Sequence, residues 1–205
     1  WYLVQAGLRP LVIERGAPVE QRVADVERFE ATGVLNPQSN VQFGEGGAGT
    51  FSDGKLNSGI KSPHIRHVLE VLAEAGAPED ILVDAQPHIG TDRLRDVVRT
   101  LRERLVEAGA EVRFHTLLEG IGLREGRVES VQLRDLGTGR SYDEQASRLV
   151  LACGHSARDT FELLARLGVP MERKPFAVGV RIEHPQSLID RSQYGCLLYT
   201  SPSPR

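Results

Sequence analysis

A glycine-rich segment, residues 40–56 (NVQFGEGGAGTFSDGKL), is the part of the chain whose residue types point most directly to chemistry. Glycine permits positive φ and lets a main chain approach a ligand closely, and successive N–H groups in such a segment can hold an anion. Phosphate is therefore the expected ligand. A flexible surface loop is the alternative that this composition also fits.

The same segment contains a G-x-G-x-x-G pattern formed by Gly44, Gly46 and Gly49. That pattern indicates dinucleotide binding only where a strand precedes it and a helix follows it. Residues 40–43 could form a short strand, but residues 51–59 are rich in turn-forming Ser, Asp, Asn and Gly. We therefore do not take the pattern as the primary dinucleotide fingerprint of the chain.

An acidic residue, Glu14, ends a short apolar run at residues 11–13, which is typical of a parallel strand buried on both faces. In a doubly wound nucleotide-binding domain, a carboxylate at the end of the second strand accepts hydrogen bonds from the adenosine ribose. Residues 1–8 resemble the helix end and glycine turn that precede such a strand. Glu14 is therefore a candidate ribose ligand, and the alternative is a charge that only solvates a strand end.

Helices and strands alternate along the chain. Helical periodicity predicts helices at residues 64–75, 92–108 and 157–167. Strands are expected at residues 11–13, 111–116, 148–153 and 176–183, and a hairpin of residues 117–123 and 127–133 around the turn Glu125-Gly126. This order predicts an α/β fold, a Rossmann-like dinucleotide-binding domain with a parallel sheet and an inserted β-meander.

Composition narrows the class of protein. A formal net charge of −3 gives no electrostatic reason to expect nucleic acid or an anionic membrane as partner. No apolar run approaches the ~20 residues of a membrane span. Two cysteines, Cys153 and Cys196, without a signal-like segment predict a cytoplasmic protein. The histidines are too scattered for a metal site, so no metal is expected.

Five blocks of the sequence resemble a known family. They are AGLRPLVIERG, ERFEATGVLNPQSNVQFGEGGAGTFSDGKL, QPHIGTDRLR, LACGHSARDT and KPFAVGVRIEHPQSLIDRSQYG. Together they resemble the bacterial FAD-dependent dehydrogenases of unassigned substrate, NAD(P)/FAD-dependent oxidoreductases of the glutathione-reductase-like flavoprotein superfamily, over residues 3–195. The resemblance implies a cytoplasmic enzyme that transfers a hydride through bound FAD, with an unknown small-molecule substrate and NAD(P)H as a candidate electron donor.

The resemblance also assigns cofactor contacts. Glu14 would bind the adenosine ribose with Arg15 beside it, and the glycine-rich segment would pass close to the flavin end and the pyrophosphate. The main chain at Leu118 would touch adenine, and Gly154 would allow close approach to the cofactor. The cofactor-binding residues expected are Glu14, Arg15, Gly46, Gly47, Ala48, Gly49, Thr50, Leu118 and Gly154.

Two residues are candidate catalytic groups. His155 could handle a proton beside the flavin, although such a histidine can instead cap the following helix. Lys55 could stabilise negative charge on reduced flavin, although Asp53 could hold it in a structural ion pair. Cys153 lacks a CxxC partner, which argues against a dithiol relay, and we expect it to be a packed small residue.

The resemblance divides the chain into parts. Residues 1–168 would be a partial FAD-binding domain with an insertion at about 17–90, and residues 169–195 the start of a substrate or cap domain. Residues 196–205 (CLLYTSPSPR) differ in composition from what precedes them, which indicates a non-native tail, with a native Pro-rich linker as the alternative. A glycine-rich phosphate loop is expected before Trp1, and a Gly-Asp strand is expected beyond the other end. The domain is therefore expected to be incomplete at both ends, and these residues alone are expected not to retain FAD.

Two other hypotheses stay open at this point. The protein could use a bound dinucleotide without turnover, as a binding or redox-sensing module. The sequence could also be an inactive gene fragment. Turnover of bound flavin with a pyridine nucleotide would favour the enzyme over the binding module, and expression of a stable protein of this length in the source cell would argue against the fragment.

Overall fold

The computed structural model of the protein describes residues 1–51, 54–56, 60–175, 178–180 and 182–195. It is a mixed α/β structure with one parallel and one antiparallel sheet. The helices are α1 Tyr2–Gln5, α2 Val19–Thr32, α3 His64–Glu74, α4 Thr91–Glu107, α5 Arg158–Arg166 and α6 Gln186–Tyr194. The strands are β1 Leu11–Ile13, β2 Glu111–Arg113, β3 Thr116–Arg124, β4 Arg127–Asp135 and β5 Ser141–Gln145. The chain divides into two compact units, Trp1–Val169 and Pro170–Arg205.

Strands β1 and β2 form the parallel pair, with Val12 opposite Val112. The sequence predicted both strands. It also predicted that β1 is buried on both faces, whereas Val12 keeps 40% of its surface exposed. Strand β2 is also shorter than predicted. His115, at a left-handed φ of 51°, turns the chain between β2 and the next strand.

The antiparallel sheet is a meander in the order β3-β4-β5. The predicted hairpin is confirmed, and its turn uses positive φ at both Glu125 and Gly126, the conformation that two-residue hairpin turns require. Strand β5 was not predicted. Its sequence, SYDEQ, lacks the apolar alternation of a half-buried strand, and it is held by pairing with β4.

The main hydrophobic core lies where α3 and α4 pack together with a 3₁₀ turn at Glu79–Leu82. The predicted helices at these places are confirmed, as is the helix at residues 157–167. The buried members of the core are Ala75, Ala77, Ile81, Ile89, Leu94 and Val97. Helix α4 also packs against α2, β2 and a 3₁₀ turn at Gly47–Phe51, so it supports the glycine-rich segment from one side.

The predicted strand at residues 148–153 is wrong, and the described residues of the predicted strand at 176–183 do not form one. Residues 148–153 are irregular, with Val150 79% exposed and Leu151 41% exposed. An apolar run forms a strand only where a neighbour satisfies its backbone groups, and among the described residues no strand pairs with it. The described residues of the other run, 178–180 and 182–183, are likewise irregular, with Val178 and Val180 more than four-fifths exposed. Residues 176, 177 and 181 lie outside the described residues.

The second unit contains α6, which the sequence did not predict. The helix follows Pro185 and ends at Gly195, whose φ of 71° is the left-handed conformation of a glycine C-cap. Within the helix, the Gln186 amide donates to Asp190 Oδ1 over 2.7 Å. This pair ties the first turn of the helix to the next.

Candidate functional site

Glu14 lies at the carboxyl end of β1, where the sequence placed it. Its N–H donates to the carbonyl of Arg113 over 2.9 Å and extends the pairing with β2. Its Oε1 accepts from the N–H of Gly16 over 2.7 Å. The half-buried carboxylate is thereby oriented within the turn that follows the strand.

Arg15 connects three parts of the first unit. Its guanidinium pairs with Asp159 in the first turn of α5, and it lies 5.6 Å from the centre of the Phe43 ring. Burial lowers the pKa of Arg15, and the neighbouring Glu14 and Cys153 oppose that shift. The turn after β1, the glycine-rich segment and the loop before α5 therefore meet around one cation.

The glycine-rich segment wraps around Arg22 of α2, a residue that sequence reasoning missed. The Arg22 side chain is completely buried. Its Nε donates to the carbonyl of Asn40 over 2.8 Å, and its Nη2 donates to Val41 over 2.9 Å. Its Nη1 donates to the carbonyl of Glu45 over 2.6 Å and approaches that of Gly44 at 3.4 Å. We call this arrangement the Arg22 cage.

On this side of the segment the Arg22 cage binds a cation, whereas the sequence predicted a site for an anion. The expected feature was a row of N–H groups around an anion, whereas here carbonyl oxygens converge on a buried cation. Burial lowers the pKa of Arg22 to about 10, so the guanidinium stays charged at neutral pH. The ring of Phe51, 4.7 Å from the guanidinium carbon, covers one of its faces.

Close contact between main chains explains two of the glycines. A Cβ on Gly16 would lie 2.5 Å from Gly44 Cα and 2.9 Å from the carbonyl oxygen of Gln38. A Cβ on Gly44, which has a φ of +121°, would lie 2.5 Å from Cδ of Arg22. The bare backbone at these positions therefore packs against the turn after β1 and against the cage.

The outer side of the segment is formed by Gly46, Ala48 and Gly49, which are exposed, while Gly47 is half-buried. A Cβ on Gly49 would meet no atom of the described residues within 4 Å. Thr50 is fully buried, and its hydroxyl donates inward to the carbonyl of Glu45 over 3.3 Å. Of the five consecutive residues predicted to line the cofactor, four reach the surface and Thr50 does not.

A second charged cluster supports the segment from the α4 side. Glu45 Oε2 accepts from the N–H of Val19 over 2.7 Å and from Arg102 Nη1 over 2.9 Å. Arg102 also pairs with Glu20 over 2.7 Å. The hydrogen bond from Arg102 lowers the pKa of Glu20, whereas burial raises the pKa of Glu45 in spite of its donors.

The raised pKa of Glu45 predicts that the free energy of unfolding depends on pH through this group, and that Glu45→Gln removes this dependence. The folded protein holds the Glu45 proton more tightly than the unfolded chain, so this group stabilises the fold fully below its unfolded pKa. That contribution is lost as the pH rises through the folded pKa. The free energy of unfolding of E45Q, compared with that of the parent chain, should therefore shift in favour of the variant between pH 4 and pH 7.

Urea unfolding at several pH values measures this difference. Glu20 titrates in the opposite sense because its pKa is lowered, but it is present in both proteins and its contribution should largely cancel. A difference that stays constant with pH, or that moves against the variant, would show that the pairing with Arg102 outweighs burial at Glu45.

Lys55 lies in a short antiparallel bridge with His88. The bridge is closed by the Leu56 N–H donating to the carbonyl of Pro87 over 2.9 Å and by the Ile89 N–H donating to that of Gly54 over 3.0 Å. The side chain of Lys55 is exposed. The alternative ion pair with Asp53 lies outside the described residues.

His155 is exposed, and its Nδ1 lies 3.1 Å from the hydroxyl of Ser156. It does not cap α5, whose cap residue is Ala157. Cys153 is exposed, so the expectation that it is packed is wrong, because the irregular residues 148–153 are not covered. Gly154 has a φ of +69°, and a Cβ there would meet no atom within 4 Å.

Leu118 is half-buried in β3, where it pairs with Leu133 of β4. It belongs to the meander, on the strand against which α5 packs. Among the residues that the structure describes, no three His, Cys, Asp or Glu side chains come together as a metal site. None of the helices in the described ranges combines the length and the apolar character needed to cross a bilayer.

Known proteins resemble the chain in part of its sequence. The family described as "FAD-dependent protein, C-terminal domain-like" matches residues 175–202. An uncharacterized protein of Clostridium beijerinckii is 49% identical over 193 residues, which are 94% of this chain and 35% of that protein. The chain thus spans about a third of the length of this relative, and its C-terminal part carries the sequence pattern of an FAD-dependent protein family.

Two solved structures resemble the chain at low identity. Thermovibrio ammonificans THI4 aligns with a TM-score of 0.49 and 17% identity, over 82% of this chain and 57% of THI4. The flavin-dependent monooxygenase PieE, solved in complex with FAD and substrate, aligns with a TM-score of 0.38 and 20% identity, over 78% of this chain and 32% of PieE.

Proposed function

We propose that the chain is part of an FAD-dependent oxidoreductase with a Rossmann-like cofactor domain, and that this enzyme is a dehydrogenase of unknown small-molecule substrate. The match of residues 175–202 to an FAD-dependent family carries the proposal. When bound, FAD supplies the hydride chemistry of such an enzyme. NAD(P)H is the proposed electron donor.

The first unit fits this cofactor at two places. Glu14 presents a carboxylate, oriented by Gly16, at the end of a parallel strand, as a ribose ligand should. The turn after β1 and the glycine-rich segment touch so closely that a Cβ on Gly16 would collide with Gly44. The main chain of residues 46–49 therefore follows a segment that is fixed by packing. A fixed, bare main chain suits a surface that a flat or anionic ligand approaches closely.

Each remaining residue has a defined part in this proposal. Arg15, fixed by Asp159, holds the loop before α5 next to the ribose site. Leu118 contributes main chain beside adenine, and Gly154 allows the cofactor to approach the main chain closely. His155 would hold or release a proton at Nε2 while Ser156 occupies Nδ1. Lys55 would supply positive charge.

The absorption spectrum of the protein expressed from the complete gene tests this function. A flavin band in the visible range, with FAD identified in the supernatant after denaturation, is the expected result. Loss of that band when NADH or NADPH is added without oxygen would support the dehydrogenase and its donor. A folded, colourless protein that does not take up added FAD would overturn the proposal.

Gly49→Ala separates binding from folding. Because a Cβ at Gly49 would meet no atom of the part of the chain that the structure describes within 4 Å, the free energy of unfolding should stay within about 0.5 kcal/mol of the parent value. The added methyl group would, however, stand between the main chain and the cofactor. FAD should bind about tenfold more weakly, equal to about 1.4 kcal/mol. Fluorescence titration of the apoprotein measures the affinity, and an unchanged Kd would place the cofactor elsewhere.

A further inference from the structure

The carbonyl of Glu45 is held from two sides inside the glycine-rich segment. Nη1 of the fully buried Arg22 donates to it over 2.6 Å, and the hydroxyl of Thr50 donates to it over 3.3 Å. Both donors are themselves buried, so this oxygen has a fixed direction. The cage therefore sets the orientation of the Glu45–Gly46 peptide plane.

That plane determines where the next N–H group points. In a trans peptide the C=O and N–H bonds point in opposite directions. With the carbonyl of Glu45 turned inward to Arg22, the N–H of Gly46 is turned away from the guanidinium. Gly46 is exposed and has a φ of +81°, a conformation that glycine adopts without strain.

We propose that Arg22 is a positioning residue that turns the N–H of Gly46 outward as a hydrogen-bond donor to an acceptor atom of FAD. This role rests on the proposed function, because FAD is taken to lie on the exposed side of the segment. Arg22 itself does not touch the cofactor. It acts by fixing the main chain of the glycine-rich segment before the cofactor binds. Without Arg22 this main chain would become ordered only on binding, and the loss of conformational entropy would weaken the affinity.

Arginine suits this task better than lysine. The guanidinium is planar and presents donors on three nitrogens, which here reach the carbonyls of Asn40, Val41 and Glu45 at once. The ammonium of lysine is a single point with a different geometry, so it cannot reproduce all of these directions. Arg22→Lys retains a basic side chain at this position and removes the planar group that reaches three carbonyls at once.

The test uses the complete protein and the variants R22K and R28K. Arg28 lies on the same helix, is 55% exposed at its side chain and pairs with Asp25, so R28K is a matched control outside the cage. Hydrogen exchange of residues 40–51 without FAD measures order in the segment. Titration of the apoproteins with FAD measures affinity, and the flavin visible spectrum reports the surroundings of the ring.

In R22K the amides of residues 40–51 should exchange about tenfold faster while those of α4 stay protected. FAD should bind about tenfold more weakly. R28K should change neither quantity. ADP-ribose, which has the pyrophosphate but no flavin, locates the contact. An equal loss for ADP-ribose supports an acceptor on the pyrophosphate, and a loss limited to FAD, with a shifted flavin band, supports an acceptor on the ring.

Gly44→Ala provides a second test if R22K does not fold. Its Cβ would lie 2.5 Å from Cδ of Arg22 and would push the guanidinium out of the cage without removing it. The same faster exchange and weaker binding are expected.

Two failures are distinguishable. A parent protein that binds no FAD overturns the proposed function. A parent protein that binds FAD, together with R22K or G44A of unchanged FAD affinity and spectrum, overturns only the positioning role of Arg22.

Discussion

Replacing Gly16 by alanine is expected to lower the free energy of unfolding by about 3 kcal/mol, at the upper end of what overpacking costs. The new Cβ would lie 2.5 Å from Gly44 Cα and 2.9 Å from the carbonyl oxygen of Gln38, and both are backbone atoms that no rotamer change can move aside. The turn cannot shift either. Gly16 donates to Glu14 over 2.7 Å and accepts from His115 over 3.1 Å.

Urea unfolding followed by far-UV circular dichroism measures this loss. Gly49→Ala is the matched control, since it adds the same methyl group where no atom of residues 1–51, 54–56, 60–175, 178–180 or 182–195 lies within 4 Å and φ is not positive. The control should unfold within about 0.5 kcal/mol of the parent chain. Equal stability of the two variants would mean that the turn after β1 and the glycine-rich segment are not in the close contact described.

Local patterns predicted helices α3, α4 and α5 because the periodic signal of a helix lies within a short stretch of its own sequence. Helices α3 and α4 show apolar residues at helical spacing, and both were found. Helix α2 was missed although Val19, Val26 and Phe29 have suitable spacing. Its buried face also contains Arg22 and Asp25, and charged residues at buried positions hide the apolar stripe by which such a helix is recognised.

The strand predictions failed where a strand depends on a partner that its own residues do not specify. The apolar run at residues 148–153 has strand composition, yet it has no neighbour among the described strands and stays irregular. Strand β5 shows the converse. Its five residues are mostly polar, and pairing with β4, with Glu144 opposite Val131, makes it a strand.

In the candidate site, too, the sequence predicted what depends on adjacent residues and missed what depends on residues distant in sequence. The position of Glu14 at a strand end follows from adjacent residues, so sequence alone located it. The Arg22 cage joins residues about 20 positions apart through main-chain carbonyls, which any residue type could supply. The sequence contained only one indirect sign of it, a glycine-rich segment in which backbone had to approach something closely. The partner turned out to be protein.

Glu14→Gln is expected to weaken FAD binding by about 10- to 100-fold, because hydrogen bonds to a charged group contribute about 1.5–3 kcal/mol. The glutamine keeps an oxygen that can accept from the N–H of Gly16, so the turn after β1 should persist and the free energy of unfolding should hardly change. What is lost is the carboxylate that, under the proposed function, accepts from the ribose hydroxyls. Titration of the apoprotein from the complete gene gives the affinity.

Two comparisons make this result specific to the ribose. ADP, which carries the adenosine half of the cofactor, should bind E14Q more weakly than the parent protein by the same factor. Riboflavin, which lacks the ribose of adenosine, should bind equally to both proteins. Glu30→Gln, a change at an exposed carboxylate of α2, should leave FAD binding as it is. If E14Q binds FAD and ADP like the parent protein, Glu14 only solvates the end of β1, and the adenosine of the cofactor lies elsewhere.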